Sequence, residues 1–163
     1  MVAVMKSVLS ANALAEIERE CAKYPPAWRR SAVMAALRIA QDELGWLSRD
    51  TMNDVAELLG MRPIEVYEVA TFYSMYDLKP VGRHKIGVCT NISCMLCGSD
   101  KIVAHLESKL GVKLGQTTPD GRFTLKEVEC LAACGGAPMM QIGNQYHENL
   151  TPERVDEILK GLD

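Results

Sequence analysis

The chain predicts an α+β fold, with a helical bundle over residues 1–80 followed by a small α/β domain over residues 81–163. Three observations carry that prediction. Apolar residues recur at helical spacing through the first half, interrupted only by short loops bearing Gly, Ser or Pro. At "KPVG", residues 79–82, this pattern gives way to strand-like runs interleaved with helices. Strand, helix, strand, strand and helix then follow within about eighty residues, which suits a small α/β sandwich.

Taken in order, "LSANALAEIERECAKY" places Leu14, Ile17 and Cys21 on one helical face, with Ser10 as N-cap. Pro25–Pro26 ends that helix, because a proline disfavours a helical residue before it. A second helix fits "RRSAVMAALRIAQDEL", with Val33, Leu37 and Ala40 on one face, Met34 beside them, and Gly45 as its stop. Ser48 caps a third, whose buried stripe is Val55, Leu58 and Leu59 and whose C-terminal stop is Gly60. Pro63 suits the first turn of a fourth, "PIEVYEVATFYSMY".

In the second half "HKIGVCT" reads as a strand. Residues 99–110, "SDKIVAHLESKL", read as an amphipathic helix carrying Ile102, Val103, Leu106 and Leu110, with Gly111 as its stop. "RFTLKEVEC" alternates as a strand should, with Phe123 and Leu125 on one face. "APMMQIGNQYHE" supplies further strand with a Gly-Asn turn. Thr151 and Pro152 open a last helix, "TPERVDEILKGL", as N-cap and first helical residue. Arg154 at its third position rules out a full capping box.

Composition is that of an ordinary globular protein, 48% hydrophobic and 24% charged. The formal net charge of −3 offers no basic field for a phosphate backbone, which argues against a nucleic-acid role. No apolar run approaches a membrane span. The opening "MVAVMKSVLSANALAEIERE" lacks the apolar stretch of a signal peptide and is too poor in Arg for a transit peptide, so a cytosolic or cytosol-facing chain is expected. In that compartment clustered cysteines point to metal or redox chemistry more than to structural disulfides.

Five of the six cysteines lie in "CTNISCMLCG", residues 89–98, and "ECLAACGGAP", residues 129–138. Cys89-x4-Cys94 falls in the turn leaving the first strand, and Cys130-x3-Cys134 at the exit of the second. If both strands end at one edge of the sheet, four thiolates meet there. That is the number an iron–sulfur cluster requires, and zinc accepts the same number. "AACGGAP" adds small residues, which leave room for a bulky centre and expose backbone N–H groups to bridging sulfides. Gly135–Gly136 also reads as a plain turn.

Cys97 competes as a ligand, because Cys89-x4-Cys94-x2-Cys97 with one distant cysteine matches plant-type ferredoxin spacing. A helix beginning just after Cys97 and the splitting of the second short-spaced pair both count against that scheme. Cys97 then reads as a buried or half-buried thiol in the first helical turn. Cys94-Met-Leu-Cys97 between strand and helix also suits a reactive dithiol, and Ala137-Pro138 suits the proline beside one. Such an enzyme has no use for Cys89, Cys130 and Cys134 together. Cys21, on the apolar stripe of the first helix, reads as core; so do most of the nine Met, Met34 and Met52 among them. His84, His105 and His147 are isolated and are assigned no ligand role.

Four motifs in one order, "QDELGWLS" (41–48), "YEVATFYSMYDLKPVG" (67–82), "CTNISCMLCGSD" (89–100) and "ECLAACGGAPMMQIG" (129–143), cover most of the chain. By them it resembles the family of 24-kDa [2Fe–2S] subunits of bacterial respiratory complex I, the NADH:quinone oxidoreductase. It is more distantly similar to equivalent diaphorase subunits of NAD-linked hydrogenases and formate dehydrogenases. The resemblance implies a thioredoxin-like [2Fe–2S] domain after the bundle and a cluster held by Cys89, Cys94, Cys130 and Cys134. It implies a subunit of an oxidoreductase complex on the cytoplasmic side of the inner membrane, docked on a flavoprotein subunit that binds FMN and NADH. No G-x-G-x-x-G occurs in this chain, so NADH oxidation by it alone is not expected. Two departures from the family pattern stand out: Cys97, where Arg is common, and Ala132, where Gly is usual.

Overall fold

The computed structural model describes residues 7–162. Residues 1–6, part of the N-terminal stretch read above, and Asp163 lie outside the described residues. The fold is α+β, and the chain divides into two compact units between Pro80 and Val81.

The first unit is helical: α1 (Ala11–Cys21), α2 (Val33–Leu44), α3 (Arg49–Leu59) and α4 (Pro63–Phe72). Ser10 accepts a hydrogen bond from the Ala13 N–H, and Ser48 from the Thr51 N–H, satisfying donors that a helix start leaves unpaired. Gly45 and Gly60 close α2 and α3 at φ 80° and 63°, in the left-handed region that costs glycine nothing. Ile17, Leu37, Leu47, Val55 and Val66 are fully buried in one core, with Cys21 at its edge.

Three details differ from the sequence reading. The second helix begins at Val33; before it, Pro26–Ala32 forms a 3-10 segment. Pro25–Pro26 cannot donate into a helix, and Trp28 inside the segment has the non-helical pair φ −113°, ψ 19°. Met34 is exposed, and Met52 is buried. The fourth helix stops at Phe72, short of the expected Tyr76, because Tyr73 turns extended at φ −94°, ψ 122°. That turn buries the Tyr76 ring, whose hydroxyl donates to the Met34 carbonyl at 2.9 Å. A tertiary contact outweighs local helical preference here.

The second unit comprises β1 (His84–Cys89), α5 (Ile92–Leu96), α6 (Ser99–Leu110), β2 (Phe123–Val128), β3 (Met140–Ile142), β4 (Gln145–His147) and α7 (Pro152–Lys160). The sheet order is β2-β1-β3-β4, with β1 and β2 parallel and the other pairs antiparallel. A parallel pair needs a long crossover, which α5, α6 and the loop after Gly111 provide. The "APMMQIGNQYHE" stretch forms two strands, joined at Gly143 (φ 56°) and Asn144. Alternation along β1 puts Ile86 and Val88 in a core with Leu106, Leu125, Met140 and Val155, and leaves Cys89 in a separate cluster with Cys94, Leu131 and Met139.

Helices α6 and α7 are clasped by Asp156, which accepts from Lys109 at 3.0 Å and pairs with His105 Nε2 at 2.8 Å. The His105 contact first, and then Lys109, holds the Asp156 carboxyl below its usual range. A depressed folded-state value means the stabilisation is present above the unfolded carboxylate value and is lost as pH falls through the folded one. Wild-type melting temperature should therefore fall more steeply below about pH 4 than that of Asp156→Asn. Parallel thermal melts of the two proteins from pH 7 to 3 check the difference.

Candidate metal centre

The parallel register pairs Cys89 with Val128, so β1 and β2 leave the sheet at the same edge. Cys89 ends its strand with its N–H donating to the Met139 carbonyl at 3.1 Å, and the Thr90 N–H reaches the Val128 carbonyl at 3.2 Å. These bonds fix where the chain turns. Asn91 Oδ1 then accepts from the Ile92 N–H at 2.7 Å and opens α5, whose third residue is the buried Cys94. Sequence reasoning missed this short helix, although Asn91 is a standard N-cap signal for it.

Cys130 lies two residues past β2, and Cys134 starts a 3-10 turn, Cys134–Gly136. Cys89, Cys94, Cys130 and Cys134 all line one cavity of about 140 Å³, with Ala132, Ala133 and Met139 among its walls. The four cysteines line one shared space, and among the described residues no three His, Cys, Asp or Glu side chains gather closely enough to hold a metal ion. Two of the four, Cys89 and Cys94, are buried; Cys130 and Cys134 are exposed at the mouth. Four cysteines around one cavity are the donor set that an iron–sulfur centre takes.

Burial, and next the Cys89 thiol beside it, push the Cys94 thiol up to about 11, against a backbone hydrogen bond from Met139. Cys94 without metal is therefore protonated at neutral pH, and a metal taking it as a ligand would have to expel that proton. The Ala137–Pro138 peptide is cis, and the Pro138 carbonyl accepts from the Leu150 N–H at 3.0 Å. Ala132 has φ 57°, a conformation costing an L-residue roughly 1–2 kcal/mol, and its N–H donates to Cys130 Sγ at 3.3 Å.

Cys97 does not line the cavity. It caps the C-terminus of α5 and is exposed, not buried in a first helical turn as read from the sequence. Cys97→Ser should accordingly retain a cluster of unchanged visible spectrum, as absorbance and iron analysis would check. Cys21 is core in the first unit, where burial raises its thiol. His105 is engaged with Asp156, and His84 stacks at a tilt on Phe123, ring centroids 5.6 Å apart.

A cavity lined by four thiols at the exit of two parallel strands, in an α/β unit with a cis-proline turn beside it, defines a class of small iron–sulfur protein. The chain belongs to the thioredoxin-like [2Fe-2S] ferredoxin family, whose sequence profile matches residues 17–163. Family membership implies a [2Fe–2S] cluster. The chain is 51% identical over 147 residues to the E 2 subunit of NADH-quinone oxidoreductase from Rhizobium meliloti (strain 1021), covering 90% of this chain and 86% of that one. It is 41% identical over 147 residues to NADH-quinone oxidoreductase subunit 2 of Thermus thermophilus, covering 90% and 81%. Among solved structures, an NAD+-reducing [NiFe]-hydrogenase in the air-oxidized state shares the fold, with a TM-score of 0.70 at 22% identity over 80% of this chain and 22% of that one. No helix among the described residues is long and apolar enough to cross a membrane.

Proposed function

We propose that this chain is the electron-transfer subunit of an NADH:quinone oxidoreductase, carrying one [2Fe–2S] cluster on Cys89, Cys94, Cys130 and Cys134. The cluster supplies one-electron storage. The chain's own residues hold it, with two thiols in a buried wall and two at the mouth. The convergence of these four side chains on one cavity is the observation that carries the reading. The relatives named NADH-quinone oxidoreductase subunits support the complex in which it works. Hydride chemistry belongs to a partner flavoprotein binding NADH and FMN, since this chain has no nicotinamide fingerprint. The assembly sits at the cytoplasmic face of the inner membrane. The equivalent diaphorase subunit of a hydrogenase or formate dehydrogenase is the alternative, and affinity capture of the flavoprotein partner distinguishes the two.

The surface offered to that partner is α4 and the turn after it. Val66 and Ala70 of this helix are buried, while Ile64, Tyr67 and Phe72, with Tyr73 and Met75 just after it, are exposed, Phe72 to 80%. A cluster of large apolar side chains left exposed marks an interaction surface. Phe72→Ala should weaken flavoprotein binding on the order of tenfold, the effect of losing an aromatic anchor worth about 1–2 kcal/mol. Calorimetry against the flavoprotein measures it. Unchanged affinity removes this surface from the interface.

The direct functional test adds NADH to the complex of chain and flavoprotein under anaerobic conditions. A rhombic EPR signal from a reduced [2Fe–2S] cluster in this chain is expected. A cluster that is present yet never reduced, by NADH or by dithionite, contradicts the electron-transfer role.

A further inference from the structure

We propose that the backbone N–H of Ala132 tunes the reduction potential of the cluster through its hydrogen bond to the Cys130 sulfur. The proposal rests on the four-cysteine reading above. It begins from two observations at one residue. The Ala132 N–H donates to Cys130 Sγ at 3.3 Å, and Ala132 holds φ 57°. Among the described residues only Asn149 shares a positive φ without being glycine.

The two facts belong together. With its N–H aimed back at the sulfur two residues earlier, the chain must leave Ala132 in the left-handed direction for Cys134 to face the same cavity. Both flanks hold this geometry in place. On one side Leu131 is buried among Cys89, Cys94 and Met139. On the other, the Gly136 N–H donates to the Ala133 carbonyl at 3.0 Å and winds the 3-10 turn behind Cys134. The donor lies at an exposed position, and its neighbours on both flanks hold it on the sulfur.

A hydrogen-bond donor on a ligating sulfur stabilises the form with more negative charge. Gaining one electron makes the sulfurs more negative, so the donor favours the reduced cluster and lifts its potential. Ala132 is a positioning residue in this account. It does not ligate, and its methyl group carries none of the effect.

The test replaces Ala132 with lactic acid in the full-length chain, an amide-to-ester exchange that keeps the methyl group and deletes the N–H. Cluster content by iron and labile sulfide, and potential by dye-mediated EPR titration, are then measured. The ester form should shift the reduction equilibrium toward the oxidised cluster on the order of tenfold, which for one electron is about 59 mV. Ala132→Gly, which keeps the N–H, should move less than the ester form. An intact cluster at unchanged potential in the ester form overturns the proposal and leaves the cluster reading standing. An equal shift in Ala132→Gly assigns the effect to the methyl group and also overturns it. A wild-type chain without iron and sulfide overturns both.

A second measurement holds even if the ester form assembles poorly. Pulsed EPR of the reduced chain labelled with 15N-alanine should show a nitrogen coupling carried through the hydrogen bond and lost in Ala132→Gly. Its absence from the wild type, or its survival in Ala132→Gly, contradicts the proposal.

Discussion

Cys94→Ala is expected to give a chain that folds but holds no [2Fe–2S] cluster. Cys94 is only 2% exposed, in the wall where α5 closes over the end of β1. Without metal its thiol is neutral, because burial and the neighbouring Cys89 raise it, so its removal takes no charge out of the site. The folded chain loses only small buried bulk, worth about 1–2 kcal/mol. The cluster would lose one of its four proposed ligands outright. Visible absorbance and labile sulfide should vanish while far-UV circular dichroism is retained. Cys97, which caps the C-terminus of that helix three residues on, is the thiol nearest in sequence that could substitute. If Cys94→Ala keeps a cluster with an altered spectrum and Cys94→Ala/Cys97→Ser does not, Cys97 has swapped in. An unaltered cluster in both removes Cys94 from the ligand set.

Gly82→Ala should cost about 3 kcal/mol, the upper range for forcing atoms into a filled space. A Cβ at Gly82 would sit 2.8 Å from the Phe123 carbonyl carbon, 2.9 Å from the Phe123 nitrogen and 3.0 Å from the Arg122 carbonyl carbon. All three are backbone atoms and cannot swing aside as a side chain does. The Gly82 N–H also donates to Thr124 Oγ1 at 2.6 Å, and the Arg83 N–H to the Gly121 carbonyl at 3.0 Å. The clash therefore pries at the start of the β1–β2 pair. Urea melts compare it with Gly161→Ala, where a Cβ meets nothing nearer than 3.6 Å and little change is expected. Equal stability of both variants would contradict the close approach.

The ends of elements were more legible in the sequence than the spaces between them. Ser10, Ser48 and Thr151 cap helices because their side-chain oxygens meet nearby backbone donors, which needs only local spacing. The sixth helix runs over Ser99–Leu110, as its apolar period and Gly111 predict. Features set by distant contacts were hidden. The fourth helix ends early because Tyr76 reaches the Met34 carbonyl, a partner 42 residues away. Residues 29–32, read as the start of the second helix, belong instead to the 3-10 segment Pro26–Ala32. At the site, the two short-spaced cysteine pairs were plain in the sequence, and all four cysteines line one cavity. Their meeting in one cavity depends on the β1–β2 register, which no local pattern specifies. The exposure of Cys97 follows from where α5 ends, and the left-handed turn at Ala132 is hinted at only by the glycine usual there in the resembled family, not by alanine itself.

The most direct test of the central claim is metal and acid-labile sulfide analysis, with a visible spectrum, on the chain purified anaerobically from its native complex. The account predicts a red-brown protein with about two iron and two labile sulfide per chain, its absorbance bleached by dithionite. A colourless protein holding one zinc and no sulfide would contradict it.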